Sequence, residues 1–270
     1  MPQQALRLVY CLILFLGLYG SARIAAAQIP VVIYADDSYP PYSYVENGEL
    51  RGVYPEIFHR IFEQMPDYQV HIEAVPWKRG LKLLETGEGF ALFPPYYWPK
   101  ERPWMEYSDD VFTEWVAVFC NENVNRSQPH NKWPEDFYGL RIGINAGYLA
   151  GGEKFFQAAK EGKLVIDSAP GSRSNIIKVL LKRNDCFVND RFSIIWEYNK
   201  IQAAGLYHDN AGKITEINSI SQQKSYLGFT NRDHGQFPFK ANFIRQFNTV
   251  LGNMKKHGEI QQIIERFLKK

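Results

Sequence analysis

The chain has 270 residues, 31 Lys and Arg, 29 Asp and Glu, and 15% aromatic side chains. Setting aside Arg7 and Arg23 near the N-terminus leaves as many basic as acidic residues, 29 of each, so there is no electrostatic footprint for nucleic acid. The aromatic content fits either aromatic-lined ligand surfaces or ordinary core packing.

Residues 1–27 read as a secretory signal peptide. Arg7 gives a short basic start, 8–20 is an apolar run too short for a membrane span of ~20 residues, and Ala25-Ala26-Ala27 is a small-residue cleavage site before Gln28. Cys11 lies inside the apolar run without the context of a lipoprotein cleavage site. The mature chain is therefore expected to be soluble and periplasmic. Its length, about 240 residues, suits one large domain or two lobes. Cys120 and Cys186 are the two cysteines left in it, and in an oxidising compartment they are either a disulfide or two buried thiols.

An apolar strand is expected over 29–34, followed by the loop Asp36-Asp37-Ser38-Tyr39-Pro40-Pro41-Tyr42. Asn47-Gly48 supplies the positive φ of a tight hairpin between 42–45 and 49–51. The spacing of Val53, Ile57, Ile61 and Met65 predicts a helix over 53–65. A strand over 69–75, an amphipathic helix over 77–85 and a buried strand over 90–93 follow, the last ending at Pro94-Pro95. A long strand-like run occupies 112–120. The second half repeats the alternation: strand 140–144, a Gly-containing turn and helix over 147–161, strand 164–168, helix 172–182, strand 186–189 and helix 191–201. A strand over 225–230 and helices over 237–254 and 259–268 complete the chain. This order argues for an α/β protein of two lobes with mainly parallel sheets and helices on both faces.

Most catalytic signatures are missing. The six histidines form no metal-binding spacing, and there is no nucleophile elbow, phosphate-binding loop or dinucleotide fingerprint. The Gly-rich stretch 147–152 opens a helix and could meet an anion, a weak signal alone.

Three stretches are more informative: 36–44, at the end of the first strand, where open α/β sheets place ligands; Pro76-Trp77-Lys78-Arg79-Gly80-Leu81; and Pro99-Lys100-Glu101-Arg102 with Tyr107-Ser108-Asp109-Asp110. In this order, with Asn47-Gly48-Glu49-Leu50-Arg51-Gly52, the run 133–144, Asn184-Asp185-Cys186-Phe187-Val188-Asn189-Asp190 and Ser225-Tyr226-Leu227-Gly228-Phe229-Thr230, the sequence resembles the family 3 bacterial extracellular solute-binding proteins of the polar amino-acid-binding type. The resemblance covers essentially the whole mature chain. It implies the two-lobed type II periplasmic binding fold, with 28–113 plus 226–270 as lobe one and 114–225 as lobe two, closing on ligand by hinge motion.

The resemblance also implies roles. Arg102 matches the arginine that grips a ligand carboxylate, a task suited to a guanidinium fork; the alternative is a surface salt bridge to Glu101 or Asp109. Asp190 matches the acid that accepts from a ligand α-amino group, the alternative being a helix N-cap. Tyr39 and Trp77 match ligand-lining positions, the alternative being core packing. The family's hydroxyl-rich stretch before the arginine is replaced by Pro94-Pro95-Tyr96-Tyr97-Trp98, and its hydroxyl-bearing turn by Gly147-Tyr148-Leu149. Tyr97, Tyr148 and Leu149 are therefore expected to line a different, more aromatic or extended ligand. The resemblance places Cys120 and Cys186 at the same edge of the lobe-two sheet, where a bridge would be structural.

The expected function is capture of a small polar or zwitterionic solute by a monomer and its delivery to an inner-membrane transporter permease, without cofactor, metal or catalysis. Two alternatives stand beside it. One is a dehydratase-like enzyme on the same fold using Glu46, Asp36 or Asp37 for acid/base work; the other is a sensor for a membrane receptor.

Overall fold

The computed structural model describes residues 27–124, 130–205 and 212–268. The proposed leader, through residue 26, lies outside the described residues. The first half forms β1 (Ile29–Asp36), β2 (Ser38–Tyr39), β3 (Ser43–Glu46), β4 (Glu49–Arg51), α1 (Val53–Phe62), β5 (Tyr68–Val75), α2 (Trp77–Thr86), β6 (Ala91–Phe93) and β7 (Met105–Tyr107). The second forms β8 (Thr113–Asn121), β9 (Arg141–Asn145), α3 (Glu153–Lys160), β10 (Val165–Ala169), α4 (Gly171–Leu180), β11 (Cys186–Asp190), α5 (Arg191–Ala203) and β12 (Ile214–Lys224). The chain then ends in β13 (Gly228–Thr230), α6 (Lys240–Lys256) and α7 (Glu259–Leu268). Among the described residues no helix is long and apolar enough to cross a membrane.

Two five-stranded sheets organise the two lobes, in the orders β5-β1-β6-β13-β7 and β10-β9-β11-β8-β12, beside the small β2-β3-β4 ribbon. Each sheet has a parallel half and an antiparallel half. In the first, β1 runs parallel to β5 and β6, and β13 antiparallel to β6 and β7. In the second, β9 runs parallel to β10 and β11, and β8 antiparallel to β11 and β12. The helix-strand alternation of the sequence accounts for the parallel halves alone; β8 and β13 follow β7 and β12 without an intervening α-helix and run antiparallel to their neighbours.

Both sheets are covered on two faces. Phe58, Phe93, Phe229, Phe243 and Phe247 are fully buried under α1, α6 and α7, while Trp77, Leu84, Leu92 and Trp104 pack on the opposite face under α2. In the second lobe the period of two divides the strands: Val116, Val118 and Val188 point to the Phe137–Phe155 side, and Ala117, Phe119 and Phe187 to α4 and α5. Cys120 and Cys186 are direct cross-strand partners on β8 and β11, with Cα atoms 3.9 Å apart, and are joined by a disulfide. The bridge closes a 66-residue separation, worth about 4 kcal/mol on the chain-entropy account.

The longest described strand, β12, is absent from the sequence reading. Its apolar residues Ile214, Ile217 and Ile220 recur every three positions because the register slips at two bulges, between Glu216 and Asn218 and between Ser219 and Ser221. The helix expected over 147–161 begins at Glu153, since Gly147 and Gly152 hold φ of 85° and 78° and keep 147–152 as a turn.

Candidate functional site

The parallel halves of both sheets point their C-terminal ends at one cleft, the place where loops rather than sheet finish an α/β surface. From the first lobe, β1 delivers Asp36 and then Tyr39, β5 leads into Trp77 at the start of α2, and β6 leads into Tyr96 and Trp98. From the second, β9 leads into Gly147, Tyr148 and Leu149, and β10 into Gly171. Gly147 lets the lobes meet: a Cβ there would sit 3.1 Å from Lys78 Cγ and 3.2 Å from Trp77 Cδ1. Its carbonyl accepts from Trp77 Nε1 at 3.3 Å and from Arg102 Nη2 at 3.1 Å, tying lobe two to two side chains of lobe one.

Arg102 is buried, with 5% of its surface exposed. Beyond the Gly147 carbonyl it has the face of Trp77, 5.5 Å from its guanidinium carbon; the charge of Glu101 acts on it from a distance, with no salt bridge to Glu101 or Asp109 among the described residues. Burial lowers its pKa to about 10, so it remains a cation at neutral pH. A buried charge without a salt-bridge partner is expensive, and here the direct contacts that offset the cost are one carbonyl and one ring. The cavity before it holds about 20 Å³ and is walled by Tyr39, Trp77, Tyr96, Trp98, Tyr148 and Leu149. That is room for about one water. On the same wall the buried indole N–H of Trp98 has no acceptor.

Tyr148 divides this cavity from a second of ≈180 Å³ reached by Asp36, Asp37, Lys78, Asn145 and Gly171. The Tyr148 ring, carried by lobe two, stands edge-on to Tyr39 at 5.5 Å and to Trp77 at 5.7 Å, both of lobe one. Its hydroxyl donates to Asp36 Oδ2 at 2.5 Å, and the Ser38 N–H donates to Oδ1 at 2.9 Å. Burial pushes the Asp36 carboxyl up to about 7, with the Tyr148 hydrogen bond opposing the shift.

Behind Tyr39 and Tyr96 lies a second buried acid, Glu114 of β8, 1% exposed. It accepts from the hydroxyls of Tyr39, Tyr54 and, at 2.7 Å, Tyr96. Asp190, fully buried, caps α5 by accepting from the Ser193 N–H at 2.9 Å and also accepts from the Trp115 N–H at 3.2 Å and from the Tyr42 hydroxyl. Burial raises both carboxyls, and the charge of Glu114 raises Asp190 further. Two acids so close in one dry site oppose each other's ionisation.

The structure brings Tyr39, Trp77, Arg102, Tyr148 and Leu149 to a single cavity. It does not bring Tyr97 or Asp190 there. The chain leaves β6 extended, so neighbouring side chains face opposite ways: Tyr96 turns into the cleft and bridges to Ser225, while Tyr97 is 55% exposed against Tyr107 and Tyr226. Asp190 does the work of a helix N-cap. Sequence reasoning missed Tyr96 and Trp98 as lining of this cavity and Glu114 as the buried acid behind it. The available signal for Glu114 was an acid inside the otherwise apolar run 112–120.

A family model described as bacterial extracellular solute-binding proteins, family 3, matches residues 31–270. The chain belongs to this family. Among solved structures, this family 3 protein is similar to a histidine kinase sensor domain with similarity to periplasmic binding proteins, at 18% identity and TM-score 0.73, covering 89% of this chain and 96% of that one. It is similar to the arginine-, lysine-, histidine-binding protein of Geobacillus stearothermophilus, at 14% identity and TM-score 0.69, over 89% and 96% of the two chains. The substrate-binding protein of an amino acid transporter also matches, at 17% identity and TM-score 0.65, over 89% and 100%. A search among curated proteins finds no match. The neighbours share the fold of two hinged lobes; at these identities they carry no ligand assignment.

Proposed function

We propose that the protein is an exported periplasmic binding protein that captures a small carboxylate-bearing solute between its lobes and hands it to an inner-membrane transporter. The observation that carries this is Arg102, a buried cation facing an interlobe cavity with a carbonyl and a ring as its contacts and no salt bridge among the described residues. A ligand carboxylate would supply the missing charge, and the guanidinium fork suits it. The division into 28–113 plus 226–270 and 114–225 is supported by the membership of the two sheets. Closure is supported by contacts that join the lobes only when they meet, including Tyr148 with Asp36 and Lys200 with Glu46 at 2.9 Å. Binding without catalysis is the proposed activity, with Arg102 as anion anchor and Tyr39, Trp77, Tyr148 and Leu149 as walls.

A thermal-shift screen of the purified protein against amino acids, dicarboxylates, polyamines and aromatic acids tests this, because a ligand of the native state raises the midpoint. At least one carboxylate should shift it, and Arg102→Ala should remove that shift. A panel without any shift, or a shift indifferent to Arg102, overturns the proposal. Product appearing in the same incubation would replace it with an enzyme.

A further inference from the structure

Gly147 and Tyr148 give lobe one, from within the chain, what a solute would otherwise bring. The side chain of Tyr148 belongs to lobe two but packs on the cores of both lobes. Its ring stands edge-on to Tyr39 and Trp77, its hydroxyl donates to Asp36 Oδ2, and the neighbouring Gly147 carbonyl accepts from Arg102 and from the Trp77 indole. Two consecutive residues thus supply an acceptor, an aromatic ring and a donor to four residues of lobe one. The turn is built to hold them there. Gly147 has φ of 85° and Gly152 φ of 78°, and the Tyr148 N–H donates back to the Asn145 carbonyl at 3.0 Å. The lobes also meet at Gly171, where a Cβ would overlap the Ser38 side chain. What remains before Arg102 is about 20 Å³, which admits no solute while the ring is in place. The ≈180 Å³ cavity lies beyond the ring, and Arg102 is not part of its lining.

We propose that Gly147-Tyr148 is a tethered occupant of the cleft: without solute it draws the lobes closed, and a solute reaches Arg102 only by displacing it. This goes beyond the binding reading and rests on the hinged fold, whatever the solute. A group tethered through a short linker competes at an effective concentration on the order of millimolar. Solutes with few contacts therefore lose to it, because an entrant must replace the contacts of Arg102, Trp77 and Asp36 that the turn gives up. The apparent affinity of every solute is lowered in proportion to the fraction of molecules whose cleft the turn leaves free.

The test is small-angle X-ray scattering of the purified parent and of Tyr148→Ala, each shown by native mass spectrometry to carry no bound solute. The parent should scatter as the closed form. Tyr148→Ala removes the ring contacts and the hydrogen bond to Asp36, so it should lower the ratio of closed to open molecules by about tenfold or more, read as a larger radius of gyration. Parental circular dichroism and a cooperative melt show that the variant is folded. Should it fail to fold, Tyr148→Phe, which gives up the hydrogen bond alone, takes its place with a smaller shift in the same direction. A solute-free parent that is open, or a folded variant as compact as the parent, overturns the inference and leaves the binding reading to its own screen. A solute panel without any thermal shift overturns that reading and leaves the tethered occupant standing.

Discussion

Arg102 and Glu114 are buried on opposite sides of the wall formed by Tyr39 and Tyr96, and they are satisfied very differently. Glu114 has three phenolic hydroxyls, two from the β1–α1 region and one from the stretch after β6, converging on a strand that crosses between the lobes. Arg102 has one carbonyl and one ring. A buried group whose hydrogen-bonding capacity is filled by its own chain serves the fold, whereas one left short is placed for something that arrives later. The proposed division gives the buried acid structural work on one side of a tyrosine wall and the buried base receptor work on the other.

Glu114→Ala gives the sharpest break in that contrast. Three buried hydroxyls lose their acceptor at once, so denaturant unfolding should report a loss of about 3 kcal/mol or more. Arg102→Gln should change stability by less than about 1 kcal/mol, since it also removes the desolvation cost of an unpaired charge, while carboxylate affinity falls by about 100-fold. A large stability loss in Arg102→Gln would make Arg102 a structural residue after all.

The acids also predict a pH dependence. Asp36 is raised from 3.8 to about 7 in the folded protein. Between those values the native state binds more protons than the unfolded chain, so stability is fullest at the acid end and falls as pH rises toward about 7. Glu114 and Asp190, also raised, act in the same direction. The melting temperature should therefore drop from pH 5 to pH 7, and Asp36→Asn should flatten that slope. A melting temperature that rises over this interval contradicts the burial of these acids. The smallest effect is expected at Tyr97, exposed outside the cleft: Tyr97→Ala should alter stability by less than about 0.5 kcal/mol and leave carboxylate titrations unchanged.

How far the sequence carried these conclusions depends on what each residue signals locally. The strands β1, β5 and β9 and the helices after them follow from periodicity, and Arg102, Tyr39 and Trp77 from motif position. The polar β12 stayed hidden because its bulges convert a period of two into three. Tyr97 and Trp98 could not be sorted from Tyr96 until the extended backbone after β6 fixed which side chains face the cleft. Asp190 matches both a ligand-binding acid and an N-cap in sequence, since both follow a strand; only its donors, Ser193 and Trp115, separate the two. The partnering of Glu114 is equally invisible in sequence, because Tyr39 and Tyr54 lie 75 and 60 residues away.

Arg102 is proposed to meet a ligand's negative charge. Titrating the parent protein with the carboxylate found by the thermal-shift screen and with its uncharged amide tests this directly. The acid should bind measurably and the amide about 100-fold more weakly; equal affinity for the two would contradict it.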